Sequence, residues 1–567
     1  MTAPRRNRMT GAEAVVQLLD GYGVRHVFGL CGDTTLPLYD ALARLDHGIA
    51  HILTRDERSA GYMADGYARV TGRVGVCEGP SGGGATYLLP GLAEAHESSV
   101  PVLGLNSDIS TAARGRFALT ALDQTALFRP VTKWNRTLDR ADEIPDAFRR
   151  AFREMTTGRP GAAHLALPFD VQTGAVDEDE VRAEPAFAAC PAERIAPDPA
   201  DIDAAAALLA AARTPVIIAG GGVLIGGAKD ALARLAERLG APVATAISGK
   251  GAIADSHPLA LGVVGSNGGV AETRAVVDDA DLVLFVGCRA GSVTTERWRH
   301  PAPGACRVVH VDVDAGVFGA SYRTDAAILG DARLALAALD AALADRRATP
   351  RADGAGVVAA AKAKKFAAYL ALARSDEIPI RPERLVAALQ RALPANFVVV
   401  ADPGTPCPYL SAYLTQDRPG RRFISNRAHG ALGYAMPAAA GVQIGRPDTR
   451  VVAVMGDGSF GFCCGELETL VRLGLPMTMI VVSNASFGWI KAGQKAGYGS
   501  RFFGVDFGST DHAAVAAAFG VKSWRVEEPS ALDDALAAAL AHDGPALVDV
   551  ICQPLHEARA PVSEWVA

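Results

Sequence analysis

The chain of 567 residues reads as an α/β protein built of three doubly wound parallel-sheet domains. Short Val/Ile/Leu-rich runs are followed by glycine-containing loops and then by Ala/Leu-rich helical patterns, the order that covers both faces of a parallel sheet with helices. That rhythm occurs in three separate stretches, and a chain of this length calls for several cores, at roughly 150 residues each. Between the stretches the periodicity stops. No repeat of roughly 20–50 residues is visible, so the repeated unit is a whole domain.

The first stretch, residues 10–173, holds "RHVFGLCGD", "GIAHILTRDE", "RVGVCEGPSGGG" and "VPVLGLNSD" as strand-then-loop units. Residues 174–199 are acidic, Pro-rich and aperiodic, as expected of a linker. The second stretch, residues 200–345, contains "TPVIIAGGGV", "APVATAISGKGA", "ADLVLFVGCRAG" and "CRVVHVDVD". Residues 346–380 form a second crossing that carries a Lys/Ala-rich helix over 357–374. The third stretch, residues 381–567, holds "NFVVVADPG", "RVVAVMGDGS", "MTMIVVSNAS" and "PALVDVICQ".

Hydrophobic residues make up 49% of the chain and charged residues 21%, so sizeable cores can form. A formal net charge of -6 gives no basic field for nucleic acid or an anionic membrane, and a small-molecule partner is expected instead. The nine cysteines include no CxxC pair and fit neither a disulfide framework nor a zinc site. The N-terminal arginines lead into an amphipathic helix, and no apolar run reaches the roughly 20 residues of a membrane span. A reduced, cytoplasmic, soluble protein is the expectation.

In open parallel sheets ligands bind beyond the carboxyl ends of the strands. Asp457 stands there, directly after "RVVAVM" and between Gly456 and Gly458, with a helix expected from about Gly461. Asn484 follows the strand "TMIVV" 27 residues later, a separation of one helix plus one strand, which returns the chain to the same sheet edge. A carboxylate, an amide oxygen and a nearby carbonyl are the hard oxygen ligands that magnesium prefers when it carries a diphosphate. The same residues also read as two ordinary turns flanking a helix.

The whole stretch is more specific than either turn. "GDGSF" followed by "SNASFGW" resembles the metal and diphosphate motif of thiamine diphosphate (ThDP) enzymes, with Ser483 in place of the first of the family's two asparagines. "GVRHVFGLCGD", "TRDERSAGYMADGYARVTGRVGV", "GPSGGGATYLLPGLAEA" and "PVTKW" are similar to the amino-terminal domain of the acetolactate synthase, benzoylformate decarboxylase and benzaldehyde lyase group. "GKGAIADSHPLALG" resembles the group's central domain and "RRFISNRAHGALGYAMPAAAG" its cofactor domain. The resemblance covers nearly the whole chain in order. It implies a pyrimidine-binding domain, a central domain and a diphosphate-binding domain for the three stretches.

By that resemblance Asp457, Asn484 and the Ser486 carbonyl hold Mg2+, with Gly458, Ser459 and Thr405 near the diphosphate. Glu57 falls where the family keeps the glutamate that faces N1′ of the aminopyrimidine and shares a proton with it, although the histidine usual before it is Asp56 here. Leu432 takes the place of the bulky apolar residue under the cofactor, and Gly430 offers its carbonyl to the 4′-amino group. The resemblance implies a homodimer or homotetramer with active sites at the subunit interface.

It also implies a reaction class. A 2-oxo acid, pyruvate or a relative, loses carbon dioxide, and the enamine is ligated to an acceptor carbonyl in the manner of acetolactate synthase. The paired histidines and the late glutamate of the pyruvate decarboxylase branch are missing, "GPSGGGA" and Ile490 standing in those places, which favours ligation over simple decarboxylation or aldehyde lysis. The glutamine of the acetolactate synthase "FQE" segment is missing too; Leu119 or Thr120 stands there, and Gln124 comes later. Cys31, Gln124, Trp489 and Lys491 are the candidate substrate-pocket residues. Gly220 to Gly222 lie in the domain that holds FAD in acetolactate synthases, but Arg289 has lost the acidic neighbours of the FAD-associated segment, which weighs against FAD. A FAD- or nicotinamide-linked oxidoreductase and a catalytically inactive ThDP-binding subunit remain the competing classes.

Overall fold

The computed structural model describes residues 7–344, 346, 351–558 and 560–565. Its strands in chain order are β1 (Arg8–Thr10), β2 (His26–Gly29), β3 (Ala50–Leu53), β4 (Gly75–Gly79), β5 (Val102–Asp108), β6 (Trp134–Thr137), β7 (Ala163–Pro168) and β8 (Ala175–Asp177). Then come β9 (Pro215–Ala219), β10 (Val243–Thr245), β11 (Ala260–Val263), β12 (Leu282–Val286), β13 (Arg307–Asp312) and β14 (Ala326–Leu329). The last are β15 (Phe397–Ala401), β16 (Phe423–Ser425), β17 (Arg450–Gly456), β18 (Thr478–Ser483), β19 (Lys522–Val526) and β20 (Ala546–Ile551).

They form three six-stranded parallel sheets ordered β3-β2-β4-β5-β7-β6, β11-β10-β9-β12-β13-β14 and β16-β15-β17-β18-β20-β19. Counted within each sheet, the first and third share the winding 2-1-3-4-6-5, while the second winds 3-2-1-4-5-6. The α/β class and the three doubly wound sheets are therefore as the sequence predicts. Alternation within one strand serves both faces of a sheet. On β9, Ile217 and Ala219 enter one core with Leu284 and Val309, while Val216 and Ile218 enter the opposite core with Val283 and Phe285.

The chain gathers into two compact units. One comprises Met1–Glu193, Ala428–Asp448 and Cys463–Leu475; the other comprises Arg194–Arg427, Thr449–Phe462 and Pro476–Ala567. The acidic segment after Gly174 does not run free, because β8 pairs antiparallel with β1, Val176 opposite Met9. Backbone pairing thus fastens residues whose side chains show no periodicity. In the second crossing the helix spans Gly354–Ala373. The helix after β17 begins at Asp457, four residues before the glycine at which the sequence suggested it, because the strand passes directly into it without an intervening loop.

Candidate functional site

Glu57 opens the helix Glu57–Thr71, which Asp56 caps by accepting the Arg58 backbone N–H at 2.7 Å. The aspartate that replaces the family's histidine is thus a helix cap, and it also pairs with the Arg58 guanidinium. Glu466, buried on its own short helical turn, accepts the Arg55 N–H at 2.8 Å and so ties down the turn that delivers Glu57. The Glu57 side chain is only 6% exposed. Its Cγ and Oε1 lie over Gly79 and Gly84, where an added Cβ would come within 3.2 and 3.0 Å of them. Among the described residues no other residue donates a hydrogen bond to this carboxylate; the Glu57 backbone N–H lies close enough to offset part of the effect of burial. Burial raises its proton affinity, and the charges of Asp56 and Glu78 add to that effect against the opposing Arg58.

The Glu57–Thr71 helix crosses the helix Ala435–Gly445 at glycines. A Cβ at Gly66 would stand 2.2 Å from the Ala438 carbonyl oxygen, and one at Gly441 would stand 1.9 Å from that of Met63. Beside the crossing, buried Arg69 pairs with Asp65 at 2.7 Å and Glu94 at 3.1 Å, and the Tyr434 hydroxyl donates to Asp65. Glu94 also accepts the His429 backbone N–H at 2.8 Å, which moors the turn leading to Gly430 and Leu432. Gly430 has a φ of 77° and no atom within 4 Å of an added Cβ. Leu432 is half-buried. Glu57, Gly430 and Leu432 therefore belong to one compact unit, although the sequence assigned them to different domains.

In the other unit, Asp457 follows β17 and is 5% exposed. Its Oδ2 accepts the backbone N–H groups of Asn484 at 2.7 Å and Ala485 at 2.6 Å, and its Oδ1 accepts that of Gly458 at 2.8 Å. Asn484 Oδ1 accepts the Ser486 hydroxyl at 3.0 Å, and the Ser486 carbonyl accepts the Gly488 N–H at 2.9 Å. One lone-pair direction is left on Asp457 Oδ1, one on Asn484 Oδ1 and one on the Ser486 carbonyl, a donor set of hard oxygens. Among the described residues no group of three or more His, Cys, Asp or Glu side chains could hold a metal, so a cation bound here would draw on mixed oxygens.

Ser483 is absorbed into a buried network, its hydroxyl hydrogen-bonded to Asp549 and 3.0 Å from His512 Nδ1, while Arg525 reaches the other Asp549 oxygen at 3.1 Å. Thr405, buried ahead of the helix Pro406–Tyr413, sets its Oγ1 3.2 Å from the Cβ position of Gly488, and Asn484 Nδ2 lies 3.6 Å from that same point. Ser459 is buried in the first turn after Asp457.

Other candidates are engaged elsewhere. The Gly458 N–H donates to Asp457 Oδ1, and a Cβ at that glycine would meet the Phe487 ring at 2.7 Å. The Gln124 amide donates to the Ser107 carbonyl at 2.9 Å and is 1% exposed. Lys491 pairs with Asp506 at 2.6 Å, and Trp489 packs against Trp565 with Arg427 over its ring. Cys31 is exposed at the end of β2. The anchors Glu94 and Glu466 were not singled out from sequence. Their signal is a carboxylate at an apolar helical position, "GLAEA" and "CCGELETL".

Comparison with known proteins decides the family. The N-terminal TPP binding domain of thiamine pyrophosphate enzymes matches residues 9–127, the central domain of those enzymes matches 202–339, and their C-terminal TPP binding domain matches 402–550. A probable acetolactate synthase large subunit of Methanocaldococcus jannaschii is 36% identical over 555 residues, 96% of this chain and 92% of the relative. An acetolactate synthase of Arthrospira platensis is 32% identical, with 96% and 94% covered, and the acetolactate synthase isozyme 1 large subunit of Escherichia coli is 30% identical, with 97% and 95% covered.

The chain belongs to the thiamine pyrophosphate enzymes of the acetolactate synthase large-subunit type. In this thiamine pyrophosphate enzyme a buried carboxyl with no outside hydrogen-bond donor and a half-buried leucine beside an open glycine turn suit a heteroaromatic ring that carries a proton-accepting nitrogen. The glycines of the central domain have a packing reason of their own. A Cβ at Gly220 would stand 2.2 Å from the Gly287 carbonyl oxygen, and one at Gly222 would stand 2.7 Å from the Gly287 Cα. Close approach of the loops after β9 and β12 accounts for them without a nucleotide.

Proposed function

We propose that this protein is a ThDP- and Mg2+-dependent carboligase that decarboxylates a 2-oxo acid, pyruvate or a relative, and joins the remaining acyl unit to an acceptor carbonyl. The observation that carries this reading is Glu57, a carboxyl buried at the carboxyl-terminal edge of a parallel sheet, raised in proton affinity and left without an outside donor. ThDP, when bound, supplies a nucleophilic carbon and an electron sink for decarboxylation. Glu57 would hold and return a proton at the cofactor's pyrimidine nitrogen, Leu432 would pack against its rings, and the Gly430 carbonyl would accept from its amino group. Asp457, Asn484 and the Ser486 carbonyl hold Mg2+, with Ser459 and Thr405 beside the diphosphate. Cys31 is the accessible substrate-side candidate; the engagements of Gln124, Trp489 and Lys491 make them walls more than ligands.

The working division is a pyrimidine-binding domain over 10–173, a central domain over 200–345 and a diphosphate-binding domain over 381–567, in a cytoplasmic homodimer or homotetramer with active sites between subunits. Large apolar side chains left in solvent support self-association: Phe117 and Leu119 in one unit, Phe503 in the other. Among the described residues no helix is long and apolar enough to cross a membrane.

The test is incubation with ThDP, Mg2+ and a panel of 2-oxo acids and aldehydes, with products identified by mass spectrometry. A new carbon–carbon bond, lost on chelation, supports the proposal. Free aldehyde alone would replace ligation by simple decarboxylation, and no carbon dioxide release from any 2-oxo acid would overturn the reading.

A further inference from the structure

Two buried lysines of the second unit have no part in the proposed reaction. Lys250 follows the turn Ile247–Gly249 after β10, Lys365 lies on the helix Gly354–Ala373, and each is 4% exposed. Lys362, one turn before Lys365 on that helix, donates to the Asp255 backbone carbonyl at 2.5 Å. Asp255 Oδ2 stands 3.9 Å from the Lys250 ammonium, too far for a hydrogen bond, and accepts the Gln416 backbone N–H at 2.8 Å. The Asp255 N–H returns the bond to the Gln416 carbonyl, also at 2.8 Å. This clasp sets the Gln416 side chain against Gly251, where an added Cβ would fall 2.9 Å from its Oε1. Lys250, Lys362 and Gln416 thus meet at Asp255. Lys365 stands beside them, its Nζ 3.5 Å from the Cβ position of Gly262 on β11 and 5.8 Å from the ring centre of Tyr413, three residues before Gln416.

These groups are short of partners. Gln416 is fully buried, and among the described residues neither its Nε2 nor its Oε1 has a hydrogen-bond partner. The ammonium of Lys365 faces the rings of Phe366 and Tyr413, and among the described residues it makes no hydrogen bond or ion pair. The charged groups around it are Lys250 and Asp255 from the loop after β10, Lys362 from its own helix and Glu272 from the helix Ala271–Asp278. Three ammoniums therefore stand against two carboxylates. Burial, then the charges of Lys250 and Lys362, push Lys365 down to about 7 against the pull of Asp255 and Glu272. A buried ammonium is costly unless it is paired and hydrogen-bonded, and contact with two ring faces offsets only part of that cost.

We propose that Lys250, Lys365 and Gln416, with Lys362 at the margin, form a binding site for a small oxyanion of the phosphate type, free or carried as a phosphate monoester. The two ammoniums and the amide Nε2 supply donors and surplus positive charge to an acceptor-only group. Asp255 takes no place among the ligands; its carboxylate and carbonyl hold the loop, Gln416 and Lys362 in register. This goes beyond the ThDP reaction and does not depend on it.

The test is the thermal midpoint of the full-length protein, incubated with ThDP and Mg2+ so that the diphosphate site does not compete. The probes are inorganic phosphate and glycerol 3-phosphate, with chloride at matched ionic strength as the control. The wild-type protein is expected to gain stability saturably with a phosphate probe and not with chloride. The apparent Kd is expected to weaken about tenfold or more in Lys365→Met and in Lys250→Met, the loss of one charge-assisted hydrogen bond each. Without phosphate, Lys365→Met is expected to melt no lower than the wild type, because methionine keeps bulk and removes an unpaired charge. A stronger response to glycerol 3-phosphate assigns the anion to a monoester, and a stronger response to inorganic phosphate assigns it to the free ion. Equal phosphate dependence in the wild type and the folded lysine variants overturns the proposal, as does a phosphate effect no larger than that of chloride. If neither lysine variant folds, Gln416→Leu decides by the same comparison.

Discussion

The backbone N–H of Asn484 donates to Asp457 Oδ2 at 2.7 Å, so the loop after β18 is shaped around the carboxylate that ends β17. With Ala485 sharing that oxygen and Gly458 on the other, the carboxylate is oriented before any cation arrives.

Replacing Asp457 by Asn removes the charge and sets an amide against backbone donors. Mg2+-dependent retention of ThDP is expected to fall by more than the ~10–100-fold typical of groups outside a metal's own ligand set. Equilibrium dialysis with and without chelator measures it, alongside circular dichroism to verify the fold. Unchanged retention would remove Asp457 from the metal site.

Glu57→Gln keeps shape and loses the exchangeable carboxyl proton. Turnover on the best 2-oxo acid is expected to drop by roughly 10²–10⁴, the range for a positioned acid or base, while ThDP affinity changes little. Normal turnover in this variant would end the assignment of proton transfer to Glu57.

Gly441→Ala drives a Cβ to within 1.9 Å of the Met63 carbonyl oxygen at a helix crossing that has no room to part. Overpacking of this kind costs about 1–3 kcal/mol, and the thermal midpoint of the first unit should fall accordingly. Alanine at Gly227, where nothing lies within 4 Å of the Cβ position, serves as the comparison, with only local left-handed strain to bear.

Asp549 is pushed up by burial, but hydrogen bonds from His512 and Ser483 outweigh this and hold its carboxyl below the ordinary carboxylate range. A depressed folded value means stability that is present above the unfolded pKa of about 4 and is lost as pH falls through the folded value. Asp549→Asn should therefore be less stable at neutral pH and show a flatter stability curve below about pH 4. Denaturant titrations across that window give the comparison, and parallel curves would count against the network.

The sheets were legible because buried parallel strands announce themselves as unbroken apolar runs. Among the strands the sequence did not mark, β19, "KSWRV", lies at an edge with mixed polarity, and β7, "AHLALP", carries His164 in its interior. Asp457, Asn484 and Glu57 could be named because each ends or begins an element within a recurring motif. Glu78, Glu94 and Glu466 could not, since their partners stand far off in sequence: Glu94 reaches His429, and Glu466 reaches Arg55. The packing reason for Gly458 was hidden in the same way, as only the folded position of Phe487 shows which neighbour a glycine makes way for.

The winding 2-1-3-4-6-5 that the first and third sheets share bears on ancestry. Two modules of one pattern, parted by a third of different pattern, are what duplication followed by insertion leaves behind. Equivalent folds own equivalent crevices, here beside the first and third strands of each sheet. One copy has put Glu78 and the glycines ahead of Glu57 in that crevice; its twin has put Asp457 there. Under the proposed function, equivalent notches would serve a proton in one module and a cation in the other.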